Sequence, residues 1–320
     1  MIVVERVEDL EGDYPYVVVA LGTFDGVHLG HQEILGRVVR RARQERGTAT
    51  VFTFARHPLE VVDHSKAPPL ITPLQIKQEI IRALGIDLLV AVTFSPFLAD
   101  TPPRDFVKTY LVDRLRARSV CVGYDFAFGK GRAGSPETLR ALGEEHQFGL
   151  DVVPAMTVDS QVVSSTLIRG LLSRGELVEA ARYLGRPYAI RGEVERGAGR
   201  GKGLGYPTAN LPATADLLIP DGVYVGQAWY RKALQRALVN VGTAPTFGGG
   251  ARRIEVHLID ARDELYGETL TVFFLGRLRD ERHFESPELL RQQIEIDRRR
   301  ADDVFAAFPR FSPKEWALLP

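Results

Sequence analysis

The sequence is short of several things, and each shortage removes a class of protein. A single cysteine in 320 residues, Cys121, closes no intrachain disulfide and offers no CxxC pair, which fits a reducing, cytoplasmic setting. Neither charge is in excess: Lys+Arg and Asp+Glu both number 41, so the basic surplus of a nucleic-acid-binding chain is missing. No apolar run approaches the roughly 20 residues that span a bilayer. The opening Met1-Ile2-Val3-Val4-Glu5-Arg6 brings acid early and lacks the basic-then-apolar order of a secretion signal. Repeats and low-complexity tails are also lacking. The expectation is a soluble globular chain with no nucleic-acid or membrane partner, long enough for two domains with a core each.

What is present is organised around Tyr16-Val17-Val18-Val19-Ala20-Leu21-Gly22-Thr23-Phe24-Asp25-Gly26-Val27-His28-Leu29-Gly30-His31. An apolar strand breaks at glycines, presents two histidines and continues as an Arg-rich amphipathic helix. Unpaired N–H groups at such a helix start make an anion site, and two imidazoles add donors. His28 and His31, together with Gly22, Phe24 and Gly30 as nucleotide- and phosphate-binding residues, read as a triphosphate cradle. Two other readings of HxxH stand beside it. One is a metal site, which needs further ligands that the lone cysteine does not pair with. The other is a plain polar helix start.

The first half alternates strand and helix signals. Apolar runs at 16–21, 48–54, 87–94, 119–123 and 150–156 are separated by helices that open at Thr72-Pro73-Leu74-Gln75 and Ser135-Pro136-Glu137. That pattern predicts an α/β domain with a parallel sheet and ligands at the carboxyl ends of its strands. Helices at 165–173 and 176–184 follow, and Gly185-Arg186-Pro187 marks the expected boundary between domains 1–185 and 186–320. Beyond it, short β-rich runs at 188–195, 222–230, 237–241, 253–260 and 268–275 predict an antiparallel barrel. A long helix from 286 to about 308 closes the chain.

Two further stretches carry chemistry. In Ser164-Ser165-Thr166-Leu167-Ile168-Arg169 the hydroxyls suit a helix cap, and Arg169 one turn in suits charge-assisted bonds to phosphate. The run Gly197-Ala198-Gly199-Arg200-Gly201-Lys202-Gly203-Leu204-Gly205 fails as a Walker A motif, because the spacing is wrong and Gly203 replaces the Ser/Thr. It reads either as a mobile loop or as a flap in which Gly199 and Gly205 let backbone approach phosphates while Lys202 adds charge. Thr208 and Asn210 supply hard oxygen ligands suited to Mg²⁺.

HxGH near the start and SSTxIR after the last strand of the first half resemble the nucleotidylyltransferase superfamily. The fuller Gly22–His31 run, Thr53-Phe54-Ala55-Arg56-His57-Pro58 and Gly123-Tyr124-Asp125-Phe126-Ala127-Phe128-Gly129-Lys130 resemble its FMN adenylyltransferase branch. Arg56 stands where that branch usually has Pro. The resemblance implies a Rossmann-like domain in which Asp125, Phe128 and His57 lie by the flavin. Gly203-Leu204-Gly205-Tyr206-Pro207-Thr208-Ala209-Asn210, Gly222-Val223-Tyr224, the 240–247 run and Glu255-Val256-His257-Leu258 resemble riboflavin kinases. That resemblance implies a six-stranded barrel with Glu255 as general base; an acid in an alternating strand is also simply a solvent-facing side chain. Lys202 stands where many relatives have Arg, keeping charge but not bidentate geometry.

Together the two resemblances cover nearly the whole chain in the order of bifunctional riboflavin kinase/FMN adenylyltransferases, the FAD synthetases. They imply riboflavin, FMN, FAD and ATP as partners, Mg²⁺ as cofactor, and a monomer or weak homo-oligomer. Two alternatives remain. In one, only one half is active and the other is a flavin-binding regulatory module. In the other, a related transferase activates a cytidyl or pantetheine substrate, a reading that the 125–130 segment and the appended second domain disfavour.

Overall fold

The structure, a computed structural model, describes residues 1–10, 13–196, 206–213, 216–243, 252–259 and 265–307. Its chain forms two compact units. The first holds Met1–Leu70 and Leu74–Ser164, and the second holds Ile71–Pro73 and the described residues from Ser165 onward.

The first unit is built on six strands: β1 (Ile2–Val4), β2 (Val17–Leu21), β3 (Thr48–Phe54), β4 (Leu88–Val92), β5 (Ala117–Gly123) and β6 (Gly149–Val153). All neighbours run parallel, in the order β1-β4-β3-β2-β5-β6. Every residue of β2 and β4 is buried, as continuous Val/Ala/Leu runs require when helices cover both faces of a sheet. The helices are α1 (Leu29–Gln44), α2 (Leu59–Val62), α3 (Leu74–Ala83), α4 (Pro96–Ala99), α5 (Pro103–Phe106, continued by a π-helical stretch to Arg114) and α6 (Pro136–His146). The expected cap on α6 is in place, with Ser135 Oγ accepting from the Thr138 N–H at 3.4 Å. A small hairpin, β7 (Thr157–Val158) and β8 (Gln161–Val162), follows β6. From β2 the chain winds outward through β3 and β4, then returns to β5 on the other side. The carboxyl ends of β2 and β5 therefore flank the topological switch point, where open α/β sheets leave a crevice for ligands.

The second unit begins with α7 (Ser165–Ser173) and α8 (Leu177–Leu184), and α8 packs on its sheet. The strands are β9 (Tyr188–Glu193), β10 (Ala209–Pro212), β11 (Gly222–Tyr230), β12 (Ala233–Thr243), β13 (Arg252–Leu258) and β14 (Thr269–Arg279). They are antiparallel in the order β10-β13-β12-β11-β14-β9. A bridge between Glu195 and Asn210 joins the two ends of that order, so the sheet curls round on itself. Helix α9 (Pro287–Ala307) lies against β14 and β12, and Ser286 Oγ caps it by accepting from the Leu289 N–H at 3.3 Å.

A buried ion pair fastens α9 to the sheet. Arg279 on β14 and Asp297 on α9 meet at 2.8 Å with side-chain exposures of 9% and 2%, and Gln293 Nε2 donates to the same carboxylate at 2.9 Å. Removing one partner strands the other charge. Arg279→Met should cost the second unit about 3–5 kcal/mol in denaturant unfolding, and the double change Arg279→Met/Asp297→Leu should recover most of that loss.

Candidate active sites

β2 ends at Leu21, and the chain turns sharply before α1. Within four residues three have positive φ: Phe24 (+48°), Gly26 (+85°) and Val27 (+39°). A β-branched residue in the left-handed region is strained and persists only where its surroundings over-determine it. Here they do. The Val27 N–H donates to the Phe24 carbonyl at 3.2 Å, and Gln32 Nε2 donates to the Val27 carbonyl at 2.9 Å. The Thr23 carbonyl accepts from Thr53 Oγ1 at 3.0 Å and from Lys77 Nζ at 3.3 Å.

The turn delivers His28 to the N-cap of α1, where its Nδ1 accepts from the His31 N–H at 3.3 Å. Acceptance at Nδ1 leaves Nε2 as the proton-bearing nitrogen, a donor suited to an anion. The two imidazoles stack, with centroids 3.6 Å apart and planes 16° apart, and the Phe24 ring meets His31 edge-on at 5.2 Å. Phe24 is only 1% exposed, so it supports His31 from the core. Gly22 makes room for that ring: a Cβ there would stand 3.1 Å from it. At Gly30 a Cβ would stand 3.3 Å from the His28 ring. Gly30→Ala should therefore leave the melting temperature unchanged or slightly higher, since Ala favours helix. Nucleotidyl transfer should still fall by about tenfold, because a positioned group displaced by even 1 Å can cost about 100-fold.

Across the switch point, β5 ends at Gly123. A Cβ there would approach Asp125 Oδ1 to 3.3 Å. Tyr124 and Asp125 are exposed at the rim and Phe126 is half-buried. Phe128 is 7% exposed and belongs to the core, stacked on Phe126 at 5.6 Å and tilted against Phe106 at 5.6 Å. His57 is half-buried at the start of α2, its Nδ1 accepting from the Leu59 N–H at 3.2 Å, while Arg56 turns outward to pair with Glu60 at 3.6 Å. Ser164 is the last residue of the first unit; the exposed Thr166 and the half-buried Arg169 lie on α7 in the second.

In the second unit, strand register gathers polar groups that are far apart in sequence. Glu255 on β13 lies directly opposite Asn210 on β10 and Asn240 on β12. Directly paired residues share a face of the sheet, so a carboxylate stands between two amides, all three half-buried. Two residues on, His257 is buried on the same face and its pKa is pushed down by that burial. Its Nδ1 contacts the Pro207 carbonyl at 3.0 Å, and Tyr206 packs edge-on to its ring at 5.3 Å while donating its hydroxyl proton to Glu295 of α9. These contacts tie down the chain leading into Thr208 and Asn210. The Thr208 hydroxyl and Asn210 amide are hard oxygen donors, a set that fits Mg²⁺, which takes few protein ligands and shares phosphate oxygens. Gly199, Lys202 and Gly205 lie outside the described residues, as does the 244–247 part of the 240–247 run.

Two residues escaped assignment from sequence. Asn240 lies in a quoted motif without a role, and only register sets it beside Glu255. Lys77 had a detectable signal, being a lysine on the apolar face of α3 among Ile76, Ile80 and Ile81.

Residues 12–167 match the family model described as FAD synthetase, and residues 184–305 match the one described as riboflavin kinase. The bifunctional riboflavin kinase/FMN adenylyltransferase of Bacillus subtilis (strain 168) is 35% identical over 294 residues, spanning 90% of this chain and 92% of its own. The protein of the same name from Escherichia coli (strain K12) is 33% identical over 290 residues, with the same shares of the two chains. A crystal structure described as the macrolide-efflux protein from Streptococcus pneumoniae superposes with a TM-score of 0.84 at 31% identity, covering 94% of this chain and 98% of that one. Among the described residues no helix is long and apolar enough to cross a membrane. With both halves matched in order along nearly its full length, the chain belongs to the family of bifunctional riboflavin kinase/FMN adenylyltransferases.

Proposed function

We propose a residue-level course for the two reactions of this family, phosphorylation of riboflavin to FMN and adenylylation of FMN to FAD, with residues 186–320 performing the first and residues 1–185 the second. An alcohol must lose its proton as it attacks phosphorus, so the kinase needs a base. Glu255 takes the ribityl 5′-hydroxyl proton as that oxygen bonds to the γ-phosphorus of ATP and ADP departs. The amides of Asn210 and Asn240 hold the carboxylate in place. Thr208 and Asn210 would hold Mg²⁺, which when bound neutralises charge on the phosphate oxygens. Gly199, Lys202 and Gly205 belong to this reading by sequence alone, as the flap over the phosphates.

Adenylylation needs no base, because the attacking FMN phosphate is already an anion. Its oxygen bonds to the α-phosphorus of ATP while the bond to pyrophosphate breaks. Catalysis is then positioning and charge stabilisation. His28 and His31 donate to triphosphate oxygens in a turn shaped by Gly22, Phe24 and Gly30. Ser164, Thr166 and Arg169 supply hydroxyl and charge-assisted bonds to phosphate. Asp125, Phe128 and His57 mark the flavin side, with Phe128 acting from the core behind Phe126. The remaining parts of the reading are a cytoplasmic protein, which the single cysteine supports, monomeric or weakly self-associating, with flavins and ATP as its partners.

The observation that carries the reading is the position of His28 and His31 at the switch point of a parallel sheet. The test is to incubate the protein with ATP and Mg²⁺ and either riboflavin or FMN, then separate the flavins. FMN from riboflavin and FAD from FMN are expected. Flavins unchanged in both reactions would overturn the assignment, and turnover of FMN alone would leave the second half as a silent flavin-binding module.

A further inference from the structure

We propose that Lys77 is a positioning residue for adenylyl transfer, its ammonium holding the Thr23 and Phe54 carbonyls together beneath the strained turn that aims His28 and His31. The proposal rests on reading that turn as the triphosphate cradle. Lys77 Nζ donates to the Phe54 carbonyl at 2.9 Å and to the Thr23 carbonyl at 3.3 Å. Those two carbonyls lie just beyond, or at, the carboxyl ends of β2 and β3, which are neighbours in the sheet. One side chain from α3 thus links the turn that carries His28 to the strand end that leads into Arg56 and His57.

The arrangement is a costly way to fill space. Lys77 is 5% exposed, and burial lowers its pKa from 10.5 to about 8, with the buried Asp25 carboxylate opposing the shift. An apolar side chain of similar length would fill the same volume but would take the ammonium's attraction from the buried Asp25 carboxylate, so Thr53→Val, which leaves both charges in place, is the cleaner probe of the carbonyl contacts. What the lysine adds is donors, and both acceptors belong to backbone whose course sets the histidines. The turn contains two non-glycine residues at positive φ, Phe24 and Val27, so it needs external anchors to keep that shape. Thr53 Oγ1 is the second anchor on the Thr23 carbonyl. Loss of Lys77 leaves that carbonyl with a single side-chain donor from β3 and lets the turn relax away from the crevice.

The test compares Lys77→Met and Thr53→Val with the unaltered protein, measuring kcat and KM for FMN-to-FAD conversion and, as an internal control, riboflavin phosphorylation by the same chain. Misplaced donors act on the transition state, so Lys77→Met should lose about 30–100-fold in kcat with KM for FMN within about twofold. Thr53→Val, which removes one hydroxyl and keeps the shape, should lose about three- to tenfold in kcat. Riboflavin phosphorylation should hold in both variants. A Lys77→Met kcat within about threefold of the unaltered protein overturns the proposal. Should Lys77→Met lose the first unit's melting transition, Thr53→Val decides, and an unchanged kcat there also overturns it. The cradle reading fails separately, if the unaltered protein makes no FAD or His31→Ala makes as much as it does.

Discussion

Glu255→Gln should stop FMN formation from riboflavin almost completely while FAD formation from added FMN continues. The change keeps shape and hydrogen-bonding reach but removes the basic oxygen. Between the amides of Asn210 and Asn240, a glutamine fits the same row, so the loss reads out proton transfer. General-base catalysis contributes about 10²–10⁴-fold, and the kinase rate should fall by that factor with KM for riboflavin little changed. Adenylylation, which is proposed to use none of the Asn210–Glu255–Asn240 row, should stay within about twofold, since changes at sites that share no partners do not couple. A Glu255→Gln protein that phosphorylates riboflavin at the original rate would make the carboxylate a solvent-facing strand residue and nothing more.

His31→Ala should produce the opposite pattern. His31 lies in the first turn of α1, stacked on His28 and backed by the Phe24 ring. Its removal would delete the donor proposed to meet the triphosphate and leave His28 without the ring it packs against. Loss of one preorganised donor to a developing negative charge costs about 10²–10³-fold, and FMN-to-FAD conversion should fall by at least that much. The His31 main-chain N–H survives the change, so the cap on His28 Nδ1 and the helix start should persist, with riboflavin phosphorylation untouched. Equal loss of both activities in this variant would mean that it acts through folding.

How much of this is legible in the sequence depends on whether the determining contact is local. β2 and the turn after it could be read directly, because a continuous apolar run, two glycines and a helix cap are all short-range features. The Ser135 and Ser286 caps are legible for the same reason. β1 is not legible: three residues form no pattern, and Ile2–Val4 is a strand only because Ile2 finds Leu88 across the sheet. β12 begins at Ala233, earlier than the run expected from 237, because the hairpin turns through Arg231 and Lys232, both at positive φ, without the Gly or Asn that would announce such a turn. The Asn210–Glu255–Asn240 row depends on register between three strands. The resemblance places Phe128 by the flavin without saying that its ring is buried, and it is Gly134, six residues on, that admits the ring into the core. Lys77 is legible as a lysine on an apolar helix face, but its acceptors are not, being backbone carbonyls that sequence does not display.

The central claim is that one chain carries two separate sites, each performing one step. Its most direct test mixes the two single variants, Glu255→Gln and His31→Ala, with riboflavin, ATP and Mg²⁺. Neither protein alone should make FAD. Together they should, because FMN released by the His31→Ala protein is substrate for the other. A mixture that yields no FAD, from proteins each shown to retain its remaining activity, would contradict the claim.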